Sequence, residues 1–240
     1  MDQNLSIIAV LTGGLVLGLQ HALDADHLAA VSTIVSERKS ILSASIVGGL
    51  WGIGHTVSLL AAGLIVIFLH VRISDRVAGL LEFCVALMLI ALGVNALMRL
   101  HRGARLHWHT HKHGSHAHSH PHFHEPGREL SGPTHHPVKV GFRPLIIGLV
   151  HGLAGSAALM LMVLSTVSSP LVGFAYILIF GLGSIGGMII MSSLFSLPFH
   201  LTANRFDRAN FAVRLLAGCF SLGFGLFLAY HKTFVERIWH

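Results

Sequence analysis

Seven residues concentrate the chemistry of this chain. His21-Ala-Leu-Asp24-Ala-Asp26-His27 places two imidazoles and two carboxylates inside a long apolar stretch. Ionisable groups are costly in such surroundings, so they face a cavity or one another and mark the path of an ion or proton. On a helix turning about 100° per residue, His21, Asp24 and His27 fan across one face, while Asp26 points roughly opposite Asp24. Two nitrogen donors and a carboxylate suit nickel, cobalt, zinc or copper better than magnesium or calcium. Asp26 either orients a ligand imidazole from behind or is re-aimed by a helix break. The competing reading is a buried polar knot that fixes helix packing; four ionisable groups in seven positions favour a working site.

Two further histidines are candidates for the same centre. His55 lies in Trp51-Gly-Ile-Gly54-His55-Thr56-Val-Ser58, beside glycines that allow close helix approach. His151 occupies the place of His21 in an internal repeat, with Ala154-Gly-Ser156-Ala in place of the acidic residues. Each serves either as a ligand or as a packed, hydrogen-bonded core residue. Thr56 and Ser58 are expected to bond carbonyls of their own helix, and Asn95 to bridge helices. Glu82 is a proton-coupling or a structural acid. Cys84 and Cys219 sit in apolar runs and read as buried packing residues, not a disulfide framework. The chain has no phosphate-binding Gly-x4-Gly-Lys-Ser/Thr and no His-Glu-x-x-His.

The elements that must hold these residues follow from composition. Of 240 residues, 53% are hydrophobic and 11% charged, with a mean hydropathy of +0.71. Soluble domains carry about 25% charged residues, so a water-facing globule and whole-chain disorder are both excluded. The charge of +6 is explained by basic membrane loops rather than by nucleic acid. A hydrocarbon core about 30 Å thick needs roughly 20 apolar residues per helix. That criterion gives six spans, at 6–34, 41–69, 77–98, 144–167, 171–199 and 211–231. The first, second and fifth are long enough to require tilt or a break, and each contains glycines where a break is expected. The start Met1-Asp2-Gln3-Asn4 lacks a basic stretch, so no cleaved signal peptide is expected.

The spans also repeat. Gly18-Leu-Gln-His21-Ala-Leu matches Gly148-Leu-Val-His151-Gly-Leu, Gly49-Leu50 with Ile53-Gly54 matches Gly181-Leu182 with Ile185-Gly186, and Leu80-Leu81 with Cys84 matches Leu215-Leu216 with Cys219. Three matches in series argue for duplication, and a tandem three-helix unit must be inverted in the membrane. Inverted repeats are a transporter architecture with the binding site at the repeat interface. The expected fold is therefore all-α, six transmembrane helices as two inverted repeats at 1–100 and 144–240. Twelve Lys and Arg fall on one set of alternate connections and four on the other, which places both termini outside and the central connection in the cytoplasm.

That connection, 101–143, holds twelve of the twenty histidines, mostly at alternate positions from His107 to His124. Punctuated by Gly and Pro and without apolar periodicity, it reads as a mobile loop. It captures a transition metal near the cytoplasmic mouth, or serves only as a polar tether.

His21-x4-Asp26-His27 on one membrane helix followed by Gly54-His55-Thr56 on the next resembles the nickel/cobalt transporter superfamily. Gly148-Leu-Val-His151-Gly-Leu-Ala-Gly-Ser156 and Phe180-Gly-Leu-Gly-Ser184 are more similar to its urease-accessory branch of nickel permeases. The resemblance covers nearly all the chain outside the histidine-rich segment. It implies movement of nickel, and of cobalt as the second candidate, across a bacterial plasma membrane, with His21, Asp26, His27 and His55 matching the superfamily's important positions. The acidic Asp-Thr motifs that longer members carry in their second half are absent. The reading is a non-enzymatic multi-pass permease for uptake, with efflux as the alternative and no prosthetic group. Its metal residues are His21, Asp24, Asp26, His27, His55 and His151. The ion and the lipid bilayer are its partners, with a homo-oligomer or a cytoplasmic metallochaperone as further candidates. A membrane metalloenzyme and a metal-sensing accessory protein are the readings from other classes.

Overall fold

The first long apolar stretch is not one helix. In this computed structural model, which describes residues 3–36, 38, 40–69, 74–103, 106–113, 116–123, 141–154, 169–202, 207–236 and 238, α1 spans Gln3–His21 and α2 spans Ala25–Val35. The two meet at 54°. The break does not fall at Gly13-Gly14 or Gly18, as expected from glycine alone, but at 22–24. Asp24 supplies the residue type favoured just before a helix, and its extended backbone (φ −60°, ψ 147°) starts α2. Gly18 serves a different purpose, described below.

The second and fifth expected spans run unbroken as α3 (Ile41–Leu69) and α6 (Pro170–Thr202). At 1.5 Å per residue they reach about 43 and 50 Å, so tilt and extension past the hydrocarbon absorb the excess. The other long helices are α4 (Asp75–Gly103) and α7 (Asp207–Tyr230), and a ten-residue α5 covers Arg143–Gly152. Among the described residues four helices are long and apolar enough to cross a membrane, and five spans result when the bent α1–α2 pair counts as one. Of the fourth expected span only α5 lies within the described residues; 155–168 do not. Large apolar side chains such as Leu42, Phe68, Leu171, Leu182 and Leu216 are more than 60% exposed on the outer surface. Such a surface is stable against lipid and not against water. The protein is a multi-pass, helical membrane protein.

The helices interlock across the two halves of the chain. α3 and α6 pack along each other at the centre, α1 lies on α6, α5 lies on α3, and α4 pairs with α7. Glycines set the first three contacts. A Cβ on Gly54 would strike the carbonyl oxygen of Leu145, and one on Gly183 would strike that of Leu15. Likewise Gly148 abuts the Trp51 carbonyl and Gly18 the Phe180 carbonyl. The contacts of α5 on α3 thus copy those of α1 on α6, and they equate Gly54 with Gly183, three residues before the match suggested by sequence. Buried around α2 are Ala29, Ala30, Val31, Val35, Val85, Leu89 and Phe199.

Four sequence expectations are corrected. The histidine-rich segment is not simply a loop: β1 (Leu106–His113) and β2 (His116–Phe123) pair antiparallel, with His107, His109, His111 and His113 in register with His122, His120, His118 and His116. Alternate histidines match the two-residue period of a strand, so the fold is all-α apart from this hairpin. Cys84 and Cys219 are free but exposed, because an apolar run in a membrane helix also has a lipid-facing side. Ser58 does bond carbonyls of its own helix, but Thr56 Oγ1 donates to Gly181 O on α6 at 3.2 Å. Asn95 Oδ1 accepts from Arg99 on its own helix at 3.4 Å rather than bridging helices.

Glu82 also has a partner. A π-helical turn at His231–Val235 follows α7, and its Lys232 forms ion pairs with Glu82 on α4 and, at 2.7 Å, with Glu236. Arg76 Nε donates to Ile238 O at 3.2 Å nearby. These contacts tie the end of the chain to α4. The pair is only partly exposed, at 11% for Lys232 and 30% for Glu82, so it is worth more than a solvent-exposed pair, but Lys232 keeps Glu236 when Glu82 is neutralised. Glu82→Gln is therefore expected to lower the melting temperature and to leave metal flux within about threefold of wild type; a complete loss of flux would assign Glu82 to ion coupling instead.

Candidate metal centre

Four imidazoles converge where the helices cross. His21 is the last residue of α1, His27 lies in the first turn of α2, His55 in the middle of α3 and His151 in the last turn of α5. All four are buried, His55 and His151 completely. The α1–α2 break brings this about: on a continuous helix His21 and His27 would sit about 9 Å apart along the axis, whereas their ring centroids are 4.5 Å apart. His55 lies 5.1 Å from His21 and 5.3 Å from His27 by the same measure. An ion held tetrahedrally at 2.0–2.1 Å by imidazole nitrogens separates ring centroids by about 5 Å. The three rings are thus already spaced for one transition-metal ion.

The carboxylates hold the rings from behind. Asp24 Oδ2 lies 2.7 Å from His21 Nδ1. Asp26 Oδ1 accepts the His27 backbone N–H at 2.9 Å and lies 3.1 Å from His27 Nδ1, while its Oδ2 lies 2.9 Å from His151 Nε2. A carboxylate only accepts, so these contacts fix the protonated nitrogen of each ring. They leave Nε2 lone pairs on His21 and His27 and an Nδ1 lone pair on His151. Those three nitrogens and both nitrogens of His55 are buried without a hydrogen-bond partner among the described residues. Buried polar atoms are normally satisfied. Five imidazole nitrogens without a partner among the described residues therefore lie together at this crossing, a donor set whose chemistry fits a transition-metal cation.

Among the described residues two groups of donors have ligand atoms lying within 4.8 Å of one another: His21, His27 and His55, and Asp26, His27 and His151. His27 belongs to both. Asp24 belongs to neither, and its carboxylate is 51% exposed against 20% for Asp26. The face geometry of an unbroken helix favours Asp24 as the ligand; the break reverses that ranking and turns Asp26 inward.

Aromatic rings wall the centre. Trp51, which sequence reasoning left unassigned, stacks on His27 at 5.4 Å and 28° and meets His151 edge-on at 5.7 Å. Phe180 lies 5.6 Å from His21. Trp51 precedes His55 by one helical turn and so shares its face, which is the sequence signal that could have found it. These walls keep water from the rings, which strengthens electrostatic contacts inside.

No protein-family model matches the chain, and no solved structure matches it. A curated protein does: the urease accessory protein UreH of Bacillus sp. (strain TB-90) is 37% identical over 248 residues, an alignment covering 99% of this chain and 97% of that one.

Proposed function

Because this chain belongs to the UreH family, the urease-accessory branch of the nickel/cobalt transporter superfamily that its motifs resemble, we propose that it is a permease for a divalent transition metal, nickel first and cobalt second. The observation that carries the reading is the cluster of orphaned imidazole nitrogens at the crossing of α1, α2, α3 and α5. Neutral nitrogens without a thiolate suit borderline divalent ions. A buried site assembled from both halves of the chain is what a carrier requires and a surface metal trap does not.

The carrier is built as two inverted three-helix repeats with six spans. Supporting this are the copied glycine contacts of α1 on α6 and α5 on α3, and the way each half supplies a helix that ends at the site with a histidine in its last turn, His21 and His151. Rocking of one repeat against the other exposes the site to each side in turn. His21, His27 and His55 are the ligands. Asp24 and Asp26 set the tautomers, and His151 comes from the second repeat. The basic residues of the connections put the termini outside and the histidine-rich hairpin in the cytoplasm. Uptake is the direction proposed, because the relative's name ties it to urease, a nickel enzyme, and such an accessory role is served by import.

Radioactive nickel flux into sealed proteoliposomes tests the reading. Saturable wild-type flux well above that of empty liposomes is expected, and its absence under imposed metal and proton gradients, with folded protein, would overturn it. A finer prediction concerns Asp26→Asn. An amide accepts through one atom and donates through the other, so His27 or His151 must either lose its partner or turn to the other tautomer, which puts a proton on the nitrogen offered to the metal. Metal affinity measured by calorimetry is expected to fall about 10–100-fold, as for other residues that orient ligands, with the melting temperature nearly unchanged. An unaltered affinity would remove Asp26 from the centre.

A further inference from the structure

The two donor groups share one residue, and they differ in which half of the chain completes them. The group His21, His27 and His55 includes the histidine that ends α1. The group Asp26, His27 and His151 includes the histidine in the last turn of α5. With the bent α1–α2 pair counted as one span, as in the permease reading, three spans (that pair, α3 and α4) separate the start of α1 from the start of α5. An odd number of crossings means that α1 and α5 enter the membrane from opposite sides. His27 stands between them, its ring centroid 4.5 Å from that of His21 and 4.2 Å from that of His151. The His55 and His151 rings are the wider pair at 6.2 Å.

From this juxtaposition we propose that the centre holds the ion in two successive positions, one in each donor group, and that His27 hands it from the first to the second. The proposal rests on the permease reading above and adds a second binding position to it. The first position is lined by three neutral imidazoles and has the half-helix of one side as its approach. The second adds the carboxylate of Asp26 and has the half-helix of the other side as its exit. In the ion-free chain Asp26 occupies the second position itself, joined to His27 Nδ1 and His151 Nε2. For the ion to enter there, water admitted with the ion takes the proton from each of these nitrogens and returns one to the other nitrogen of the same ring, His27 Nε2 and His151 Nδ1. Both of those atoms are without a partner among the described residues and so are open to it; one proton lost and one gained per ring leaves the net count unchanged. Because the two positions share a ligand, they fill alternately, and one ion is bound at a time. The carboxylate makes the second position the deeper one for a divalent cation, since charge attraction is strong where water is excluded.

Cobalt is the probe, because its visible absorption reports the donor set. The full-length chain is titrated with cobalt in detergent as wild type, His55→Asn, His151→Asn and His27→Ala, and the same proteins are assayed for cobalt flux in liposomes. Each spectrum is read as the difference from a variant with His21, His27, His55 and His151 all replaced by alanine, which keeps the histidine-rich hairpin. In that difference His151→Asn is expected to bind one ion in the all-imidazole position and His55→Asn one ion in the carboxylate position, with different spectra. Both are expected to lose flux by about 100-fold, and His27→Ala to lose the difference signal and flux together. Identical difference spectra in the two variants, near-wild-type flux in either, or a difference signal retained in His27→Ala would overturn the two positions. Melting curves, with His55→Gln and His151→Gln as a second pair, identify any variant that fails to fold. If wild type itself moves no cobalt, the permease reading falls and the hand-over with it. Wild-type flux with one shared spectrum sinks the two positions alone.

Discussion

Replacing His27 with alanine is expected to reduce nickel flux by about 100-fold or more and, unlike replacing His55 or His151, to remove metal binding from both groups of potential ligands at once. His27 is common to both groups of potential ligands. Its Nε2 faces no hydrogen-bond partner among the described residues, and its Nδ1 is held by Asp26. Its ring also leans on Trp51. Truncation therefore removes a ligand from every arrangement the site can adopt and leaves the Asp26 carboxylate with a single imidazole. Loss of metal binding at the centre should accompany loss of flux, with the histidine-rich hairpin present in both proteins so that any metal held there cancels. Leu and Val substitutions distant from the site are not expected to reproduce the effect. A His27→Ala protein that transports nickel at wild-type rates would displace the pathway from this centre altogether.

Much of that centre was legible in the residues themselves. Four ionisable groups, two of them histidines, in seven positions of an apolar stretch, a third histidine beside glycines and a fourth at the repeat position are unusual enough to be read directly, and the structure places all four histidines together. The relative importance of the two aspartates was not legible. It depends on the direction of the chain between His21 and Ala25, where the helix stops for three residues, and helical periodicity has no meaning across a break. The break itself was misplaced because glycine was read as a weakness in α1, when at Gly18 it provides space for the Phe180 backbone. Span number followed from hydropathy for α3, α4, α6 and α7, where apolar length alone decides. The hairpin was missed because polar alternation was read as low complexity. Alternation of any residue type at period two is a strand signal, whether or not one face is apolar.

The second large effect expected is structural, and it falls on a residue with no side chain. At Gly148 a Cβ would lie against the Trp51 carbonyl oxygen and the His55 amide nitrogen. Both belong to the backbone of a helix interior, and neither can turn aside as a side chain could. α5 must then move away from α3, and with it His151, which reaches Asp26 across a 2.9 Å contact. Overpacking of this kind costs about 1–3 kcal/mol for added methylenes in a tight core, and a β-branched residue adds more bulk at the same point. Gly148→Val is therefore expected to lower the melting temperature by several degrees and to weaken metal binding, although residue 148 touches no metal. Gly223 supplies the comparison. Its Cβ would meet nothing within 4 Å, and alanine is the better helix former by about 1 kcal/mol. Gly223→Ala should be neutral or slightly stabilising, with flux unchanged. The contrast separates close helix approach from helix propensity, since propensity alone predicts that both glycines gain from substitution. If Gly148→Val melted and bound nickel like wild type, the tight α3–α5 contact would not be what holds His151 in place. The repeat interface would then need another source of rigidity, for which the α3–α6 contact at Gly48 and Gly52 is the next candidate.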